Sequence, residues 1–422
     1  MDGIHVSDAK QEAVLDDLMS EPEVWIQRPL FLRQIERLRE HEHPGRDWIR
    51  RNLFLLRYLQ GEMALHPDGT LFAWNTLNQR RSLGMLPDDP YAKRIEVGRL
   101  RRGLLKQPLL TARKIRLARE LSRRLGVGDR DTRHHVDRLI GRAILELRVS
   151  QWVLQAYRPA RVVVATQHST LARAAVLAAR RLCIPSVYVP HAPVASNRIY
   201  RDLPTDVAAL RGPREVAHYA ALGADAARLH SVGNLSLDLA VEAPSCPDGP
   251  VIVAPSPWSG DRVENFMRLV EQGIPGSYLV CPHPRSDTAE LRALLPERAH
   301  LLEEVRTADV IARGCRAVVQ HSSGVAVEAM LLGAPVIDVL FDDNPIEYPA
   351  IAEPHVTMAR SGQDLCEALA SLAGDRNRRG DQARMWAKEW VVATGAEAEA
   401  RLRALLSSSL SSVGPLRDEW AV

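Results

Sequence analysis

Five short stretches of this chain place histidine, serine or glycine directly after a run of apolar residues. They are Thr166-Gln167-His168-Ser169, His191-Ala192-Pro193, Pro255-Ser256-Pro257-Trp258, His283-Pro284-Arg285-Ser286 and His321-Ser322-Ser323-Gly324. Imidazole is the side chain best suited to take or give a proton near neutral pH. Serine hydroxyls and backbone amides at the start of a helix suit an anion such as a phosphate. The stretch QHSSGVAVEAMLLGAPVIDV (320–339) goes furthest. An apolar run enters Ser322-Ser323-Gly324, a helix opens, and Gly333-Ala334-Pro335 returns the chain to another apolar run. Two hydroxyls and the free amides of the helix would hold a phosphate or diphosphate there, and Glu328 could accept from ribose hydroxyls. The plainer alternative makes Ser322 an N-cap and Glu328 an exposed helix residue. His283, His191 and His168 likewise read either as functional groups or as capping and core histidines. Trp258 either stacks on a base or sugar or covers the core.

Such residues need parallel strands to position them. RVVVAT from Arg161, SVYVPH, TDVAAL and RLHSVGN are short apolar runs, with helical spacing over Ser169–Leu182 and Arg214–Leu222 between them. APSCPDGP (243–250) reads as a linker. The alternation then restarts with PVIVAP, a helix over Arg262–Gln272, GSYLVCPHP, a helix near Thr288–Leu295, CRAVVQHSSG, a helix over Val325–Leu332 and APVIDVLF. Continuously apolar strands imply a sheet covered on both faces, and ligands of such sheets bind beyond the carboxyl ends of the strands. The predicted class is α/β, with two Rossmann-like domains facing across a cleft. The first 150 residues read as helices at Trp25–Leu38, Trp48–Leu59 and Ile115–Leu125, with one extended stretch at Thr70–Asn75. Asp381–Leu410 reads as a long amphipathic terminal helix, and SSSLSS after it as a frayed tail. The predicted division is a helix-rich region 1–150, an acceptor half 151–242, a nucleotide-donor domain 250–380 and C-terminal helices 381–422.

Composition excludes several classes. With 422 residues, 46% hydrophobic and 25% charged, the chain can build full cores without staples. No apolar stretch is long enough to span a membrane, and the first residues lack the basic and apolar regions of a signal peptide. The five cysteines form no CxxC pair, so neither a disulfide framework nor a zinc site is expected, and a cytoplasmic location follows. Neither GxGxxG nor GxxxxGK[ST] occurs. Asp342-Asp343 before Asn344-Pro345 reads as a turn, and no metal is expected. The net charge of +3 is unevenly spread: residues 93–148 hold 17 Lys and Arg against 6 Asp and Glu, about +11, which leaves about −8 elsewhere. Arg101, Arg102, Arg113, Lys114, Arg116, Arg123 and Arg124 are expected to form one positive face toward an anionic acceptor or membrane surface, unless they are simply a solvated helix face. The same segment contains no aromatic residue, which counts against nucleic acid as its partner.

The pattern SSG-(three residues)-E-(four residues)-G-x-P over 322–335 resembles the donor loop and helix of glycosyltransferases of the GT-B fold. His283-Pro284 looks like the HP motif of bacterial sialyltransferases and polysialyltransferases. Ser322-Ser323 is similar to the Ser-Ser motif of those families and of the CDP-glycerol glycerophosphotransferases. SVYVPHAPVASNRIY and the Tyr-x-x-x-Gly and Val-Gly-Asn that follow look like a bacterial surface-polysaccharide pattern. The likeness covers roughly 160–375. UDP-N-acetylglucosamine 2-epimerases share the architecture, but their acids would fall at 166–169 and 321–324, where this chain has Thr-Gln-His-Ser and His-Ser-Ser-Gly. The acidic motif of the sialyltransferases is absent as well. The resemblance implies a metal-independent glycosyltransferase with no cofactor beyond its nucleotide-sugar donor, a cytidine nucleotide being slightly favoured. Ser256, His283, Pro284, Ser322, Ser323, Gly324 and Glu328 would bind the donor. His191, with His168 as the alternative, would act as base toward a saccharide, lipid-linked or small-molecule acceptor. A glycerophosphotransferase, an epimerase and a non-catalytic basic binding protein are the competing readings.

Overall fold

Two sheets carry the chain. The computed structural model describes residues 8–40, 62–96, 108–126, 130–197, 200–237, 248–258, 260–341, 348–372 and 374–408. The second sheet consists of β8 (Val251–Ala254), β9 (Tyr278–Val280), β10 (Ala299–Leu301), β11 (Ala317–Gln320), β12 (Val336–Val339) and β13 (Thr357–Ala359). All its pairings are parallel, in the order β10-β9-β8-β11-β12-β13. This is the Rossmann order, and its reversal point lies between β8 and β11, where such sheets open a binding crevice. VIVA, AVVQ and VIDV are buried along their whole length, which accounts for their apolar and β-branched composition apart from Gln320 and Asp338.

The first sheet contains β1 (Glu62–Leu65), β2 (Thr70–Trp74), β3 (Lys93–Glu96), β4 (Arg161–Val164), β5 (Ser186–Tyr188), β6 (Val207–Leu210) and β7 (Leu229–Ser231), in the order β3-β1-β2-β4-β5-β6-β7. From β2 to β7 it is parallel; β1 pairs antiparallel with β2 and β3. Three of its strands therefore come from before residue 150. The extended stretch expected at Thr70–Asn75 is β2, in register with β4 from Thr70↔Arg161. The helices Pro22–Glu40 and Arg130–Tyr157 bury Ile26, Ala143, Val149 and Val153 against Leu171 and Ala175 of helix Thr170–Arg181. The α/β class with two Rossmann-like parallel sheets is as expected. The helix expected at Trp48–Leu59, most of the linker (243–247), Asp342-Asp343 and most of the SSSLSS tail lie outside the described residues.

The terminal stretch is two helices, Arg376–Trp390 and Gly395–Ser407, where the sequence suggested one. The break at 391–394 lies against both glycine turns of the first sheet. Val392 N–H donates to Arg211 O (3.0 Å), and Asn234 N–H donates to Ala393 O (2.9 Å). A Cβ on Gly212 would stand 2.5 Å from Trp390 O, and one on Gly233 2.4 Å from Ala393 O, so only glycine admits this approach. Before the break, Ala383 and Ala387 pack in the cluster that joins Tyr188, Leu210 and Tyr219 of one half to Ile252, Val318 and Met330 of the other. After it, Ala398, Leu402 and Leu406 cover Phe72, Trp74, Val163 and Val187 of the first sheet.

The expected positive face is corrected by the packing of helix Pro108–Arg124. Arg113 is bound bidentately by Glu23 (2.7 Å to each oxygen) and also by Glu21 (2.9 Å). Lys114 pairs with Asp137 (2.8 Å), Arg123 with Glu120 (2.8 Å), and Arg124 with both Glu120 and Asp17. Arg116 lies 3.9 Å from Glu21. The acids come from neighbouring helices and from the segment's own turn, so each of the five described cations of the expected face has an acid beside it. Arg101 and Arg102 are outside the described residues.

Candidate functional site

The loop after β5 meets the loop after β11. A Cβ on Gly324 would lie 2.9 Å from Pro193 Cδ, so the His191 loop and the Ser-Ser-Gly loop are neighbours. On the first side, His191 Nδ1–H donates to Ala165 O (2.8 Å). That fixes the tautomer and leaves Nε2 as an unprotonated acceptor. Burial, with Arg211 and Arg285 adding their positive charge, lowers its pKa to about 4, partly offset by the Ala165 bond. His168 stands beside it, ring centres 5.9 Å apart, with Nδ1 3.1 Å from the Thr166 hydroxyl and its ring edge-on to Tyr200 at 5.1 Å. Gln167 holds that wall by donating to Tyr200 O and to the Tyr219 hydroxyl, both at 2.8 Å.

On the second side, His283 has the opposite tautomer. Its Nδ1 accepts the Arg285 N–H (3.1 Å), so the neutral ring carries its proton on Nε2, a donor for an anion. Burial and Arg285 lower its pKa also to about 4. Pro284 follows in the same turn. Ser256, half-buried after β8, accepts the Trp258 N–H on its carbonyl (2.7 Å). Trp258 packs edge-on or tilted on Phe266, His321 and Phe341 at 5.2–5.4 Å, and thus covers the core. His321 is a core histidine, 1% exposed, with its Nδ1–H on Val339 O (2.5 Å).

The Ser-Ser-Gly loop departs from expectation. Ser322 has φ 43°, a left-handed conformation that costs a non-glycine residue about 1–2 kcal/mol. Its N–H donates to Asp338 Oδ1 (2.9 Å), which also accepts Gln320 Nε2–H (2.9 Å); Gln320 Oε1 in turn accepts the Ser323 N–H (2.6 Å). The two serine amides expected to be free are therefore occupied by the chain's own side chains. The Gly324 N–H and the Ser322 hydroxyl are left without a hydrogen bond among the described residues, while the Ser323 hydroxyl accepts from Val325 N–H at 3.4 Å. Glu328 sits half-buried in helix Val325–Leu331; desolvation raises its pKa, opposed first by Arg211 and then by Arg306.

Three positioning groups escaped the sequence reading. Asp338 is a buried acid in the apolar run VIDV. Glu215, 1% exposed, accepts Val194 N–H (3.1 Å) and Arg211 N–H (2.9 Å), tying the His191 loop to the end of β6. Arg211, 5% exposed, follows β6 in DVAALRG. Among the described residues no group of three or more His, Cys, Asp or Glu is placed to hold a metal ion, and no helix is long and apolar enough to cross a membrane.

Because His191 and His283 take a proton near 6.5 when unfolded and only at about 4 when folded, the unfolded chain binds more protons between those values. Their contribution to stability is complete above about pH 6.5 and is lost as pH falls toward 4. The melting temperature should therefore drop from pH 7 to 5, and His283→Gln should flatten that drop. An unchanged slope in the variant would mean that His283 is not held neutral by the fold.

No family model matches this chain, and no curated protein sequence does. Solved structures do match. UDP-N-acetylglucosamine 2-epimerase from Rickettsia bellii is 15% identical, with 64% of this chain and 80% of that chain covered at a TM-score of 0.47. The Methanocaldococcus jannaschii UDP-GlcNAc 2-epimerase in complex with UDP-GlcNAc and UDP gives 16%, 63%, 81% and 0.46. CalG4, the calicheamicin glycosyltransferase, gives 17%, 67%, 83% and 0.46.

Proposed function

We propose that this protein is a glycosyltransferase that moves a sugar from a nucleotide-activated donor to a hydroxyl acceptor. One observation supports it most: an uncharged imidazole acceptor, His191 Nε2, and an uncharged imidazole donor, His283 Nε2–H, come from facing halves around the Gly324–Pro193 contact. The acceptor hydroxyl gives its proton to His191 Nε2 as its oxygen forms a bond to the anomeric carbon. The bond from that carbon to the phosphate oxygen breaks, and the nucleotide leaves with the electron pair. His283 Nε2–H and the Gly324 amide stabilise the charge that develops on it. Glu328 is the group for the ribose hydroxyls. Ser256 and Pro284 shape the floor, and the Ser322 and Ser323 hydroxyls line the phosphate side. No step needs a metal. Epimerisation is less well served, because the turns at 166–169 and 321–324 carry no acid.

A cytidine nucleotide is the favoured donor, on the likeness of His283-Pro284 and Ser322-Ser323. A thermal-shift screen of CMP, CDP, UDP, GDP and ADP tests this, since a ligand at 100 times its Kd stabilises by about 2.7 kcal/mol. A shift with CMP or CDP alone supports it; a larger shift with UDP or GDP reassigns the base, and none at all removes the nucleotide reading. His283→Ala should weaken nucleotide binding roughly 10- to 100-fold, the worth of a hydrogen bond to a charged group, and leave nucleoside binding unchanged. Equal loss for nucleoside and nucleotide would contradict a phosphate role.

A further inference from the structure

We infer that Arg211 receives the phosphate of the donor, reaching it from the amino-terminal half. The backbone around it is fixed on both sides: its N–H donates to Glu215 Oε2 (2.9 Å), and its carbonyl accepts from Val392 (3.0 Å). Its side chain is 5% exposed, Nε is fully enclosed without a partner, and the guanidinium makes no hydrogen bond or ion pair among the described residues. Glu215 has both oxygens engaged by the Val194 and Arg211 amides, so its charge, like that of Glu328, acts on the guanidinium without a hydrogen bond to it. A guanidinium presents five donors, and burying its Nε–H without an acceptor is unfavourable. Its planar fork matches a phosphate bidentately, so a bound phosphate supplies the missing partner.

The surroundings specify which anion. Glu215 ties the Arg211 amide to Val194, next to Pro193 at the Gly324 contact, and the charge of Arg211 reaches both His191 in its own half and Glu328 in the other. A phosphate there would also offset the positive charge that depresses the basicity of His191. Donor binding would thus prepare the base that the transfer needs. The inference rests on the nucleotide-sugar reading and adds a residue that neither the motif likeness nor the strand-end histidines pointed to.

The test compares wild type, Arg211→Met and Arg211→Lys by calorimetric titration with CMP, UDP, cytidine, uridine and inorganic pyrophosphate. Arg211→Met should lower affinity for the nucleotide that wild type binds by roughly 10- to 100-fold, abolish pyrophosphate binding and leave the nucleosides unaffected. Arg211→Lys should recover part of that loss, since the charge returns without the fork. If wild type binds a nucleotide and Arg211→Met binds it equally well, the role of Arg211 is overturned while the nucleotide reading stands. If wild type binds no nucleotide, both fall. Should Arg211→Met fail to fold, Arg211→Lys decides. A nucleotide affinity equal to wild type, or a loss equal for nucleoside and nucleotide, overturns the inference; a selective loss for the nucleotide supports it.

Discussion

His191→Ala is expected to lower turnover by roughly 10²–10⁴ while nucleotide affinity stays within about twofold of wild type. The expectation follows from the tautomer. With Nδ1–H committed to Ala165 O, only Nε2 can take a proton, and the ring is uncharged at neutral pH. Loss of such a base removes an interaction made in the transition state and none made with the ground-state donor, so kcat falls and KM for the donor does not. Steady-state rates with a fixed acceptor, beside a direct nucleotide titration, measure the two separately. His168 is the control, because it lies 5.9 Å away in the same wall. Survival of turnover in His191→Ala with collapse in His168→Ala would transfer the role to His168. Activity in both would mean a retaining reaction or a base elsewhere.

The second large effect concerns the chain crossing. Gly233→Ala is expected to cost about 2–5 kcal/mol, from left-handed strain plus overpacking against Ala393 O. Gly233 has φ 121° and the added methyl would stand 2.4 Å from that oxygen. Gly223→Ala is the matched comparison: φ there is 92°, but nothing lies within 4 Å of the new Cβ, so only the strain of about 1 kcal/mol applies. Denaturant titrations of both variants isolate the contact. Equal costs at the two positions would mean that 391–394 does not press on the first sheet.

The central strands were legible because each is dominated by buried apolar residues, Gln320 and Asp338 apart. VVV of β4, VAAL, VIVA, AVVQ and VIDV lie wholly inside a sheet, and their burial dictates their composition. Of the four edge strands, β7 was legible in RLHSVGN and the other three were not. AHL of β10 and TMA of β13 are three residues long and partly exposed, and KRIE of β3 has one apolar residue among three charged ones. The histidines were legible because a strand-to-loop junction is visible in one dimension. Their tautomers were not, since they depend on Ala165, 26 residues from His191, and on a turn amide at Arg285. For the same reason the Ser-Ser amides were misread as free: the carboxylate that occupies Ser322 N–H arrives from the next strand, 16 residues on. Counting charge along 93–148 could not reveal Glu21 and Glu23, which meet Arg113 from about 90 residues away.

The return of the last helix to the first sheet has a consequence for synthesis. During translation the strands β1 to β7 leave the ribosome long before Ala398, Leu402 and Leu406 exist to cover Phe72, Trp74 and Val163. Leu83 and Leu86 cover part of that face at once, but the rest stays open for more than 150 residues of further elongation, so the amino-terminal half completes its packing only with the last helix. A nascent chain stalled at residue 242 would present a sticky surface to holding chaperones, whereas the second sheet, whose strands are laid down between 251 and 359, closes soon after it is made.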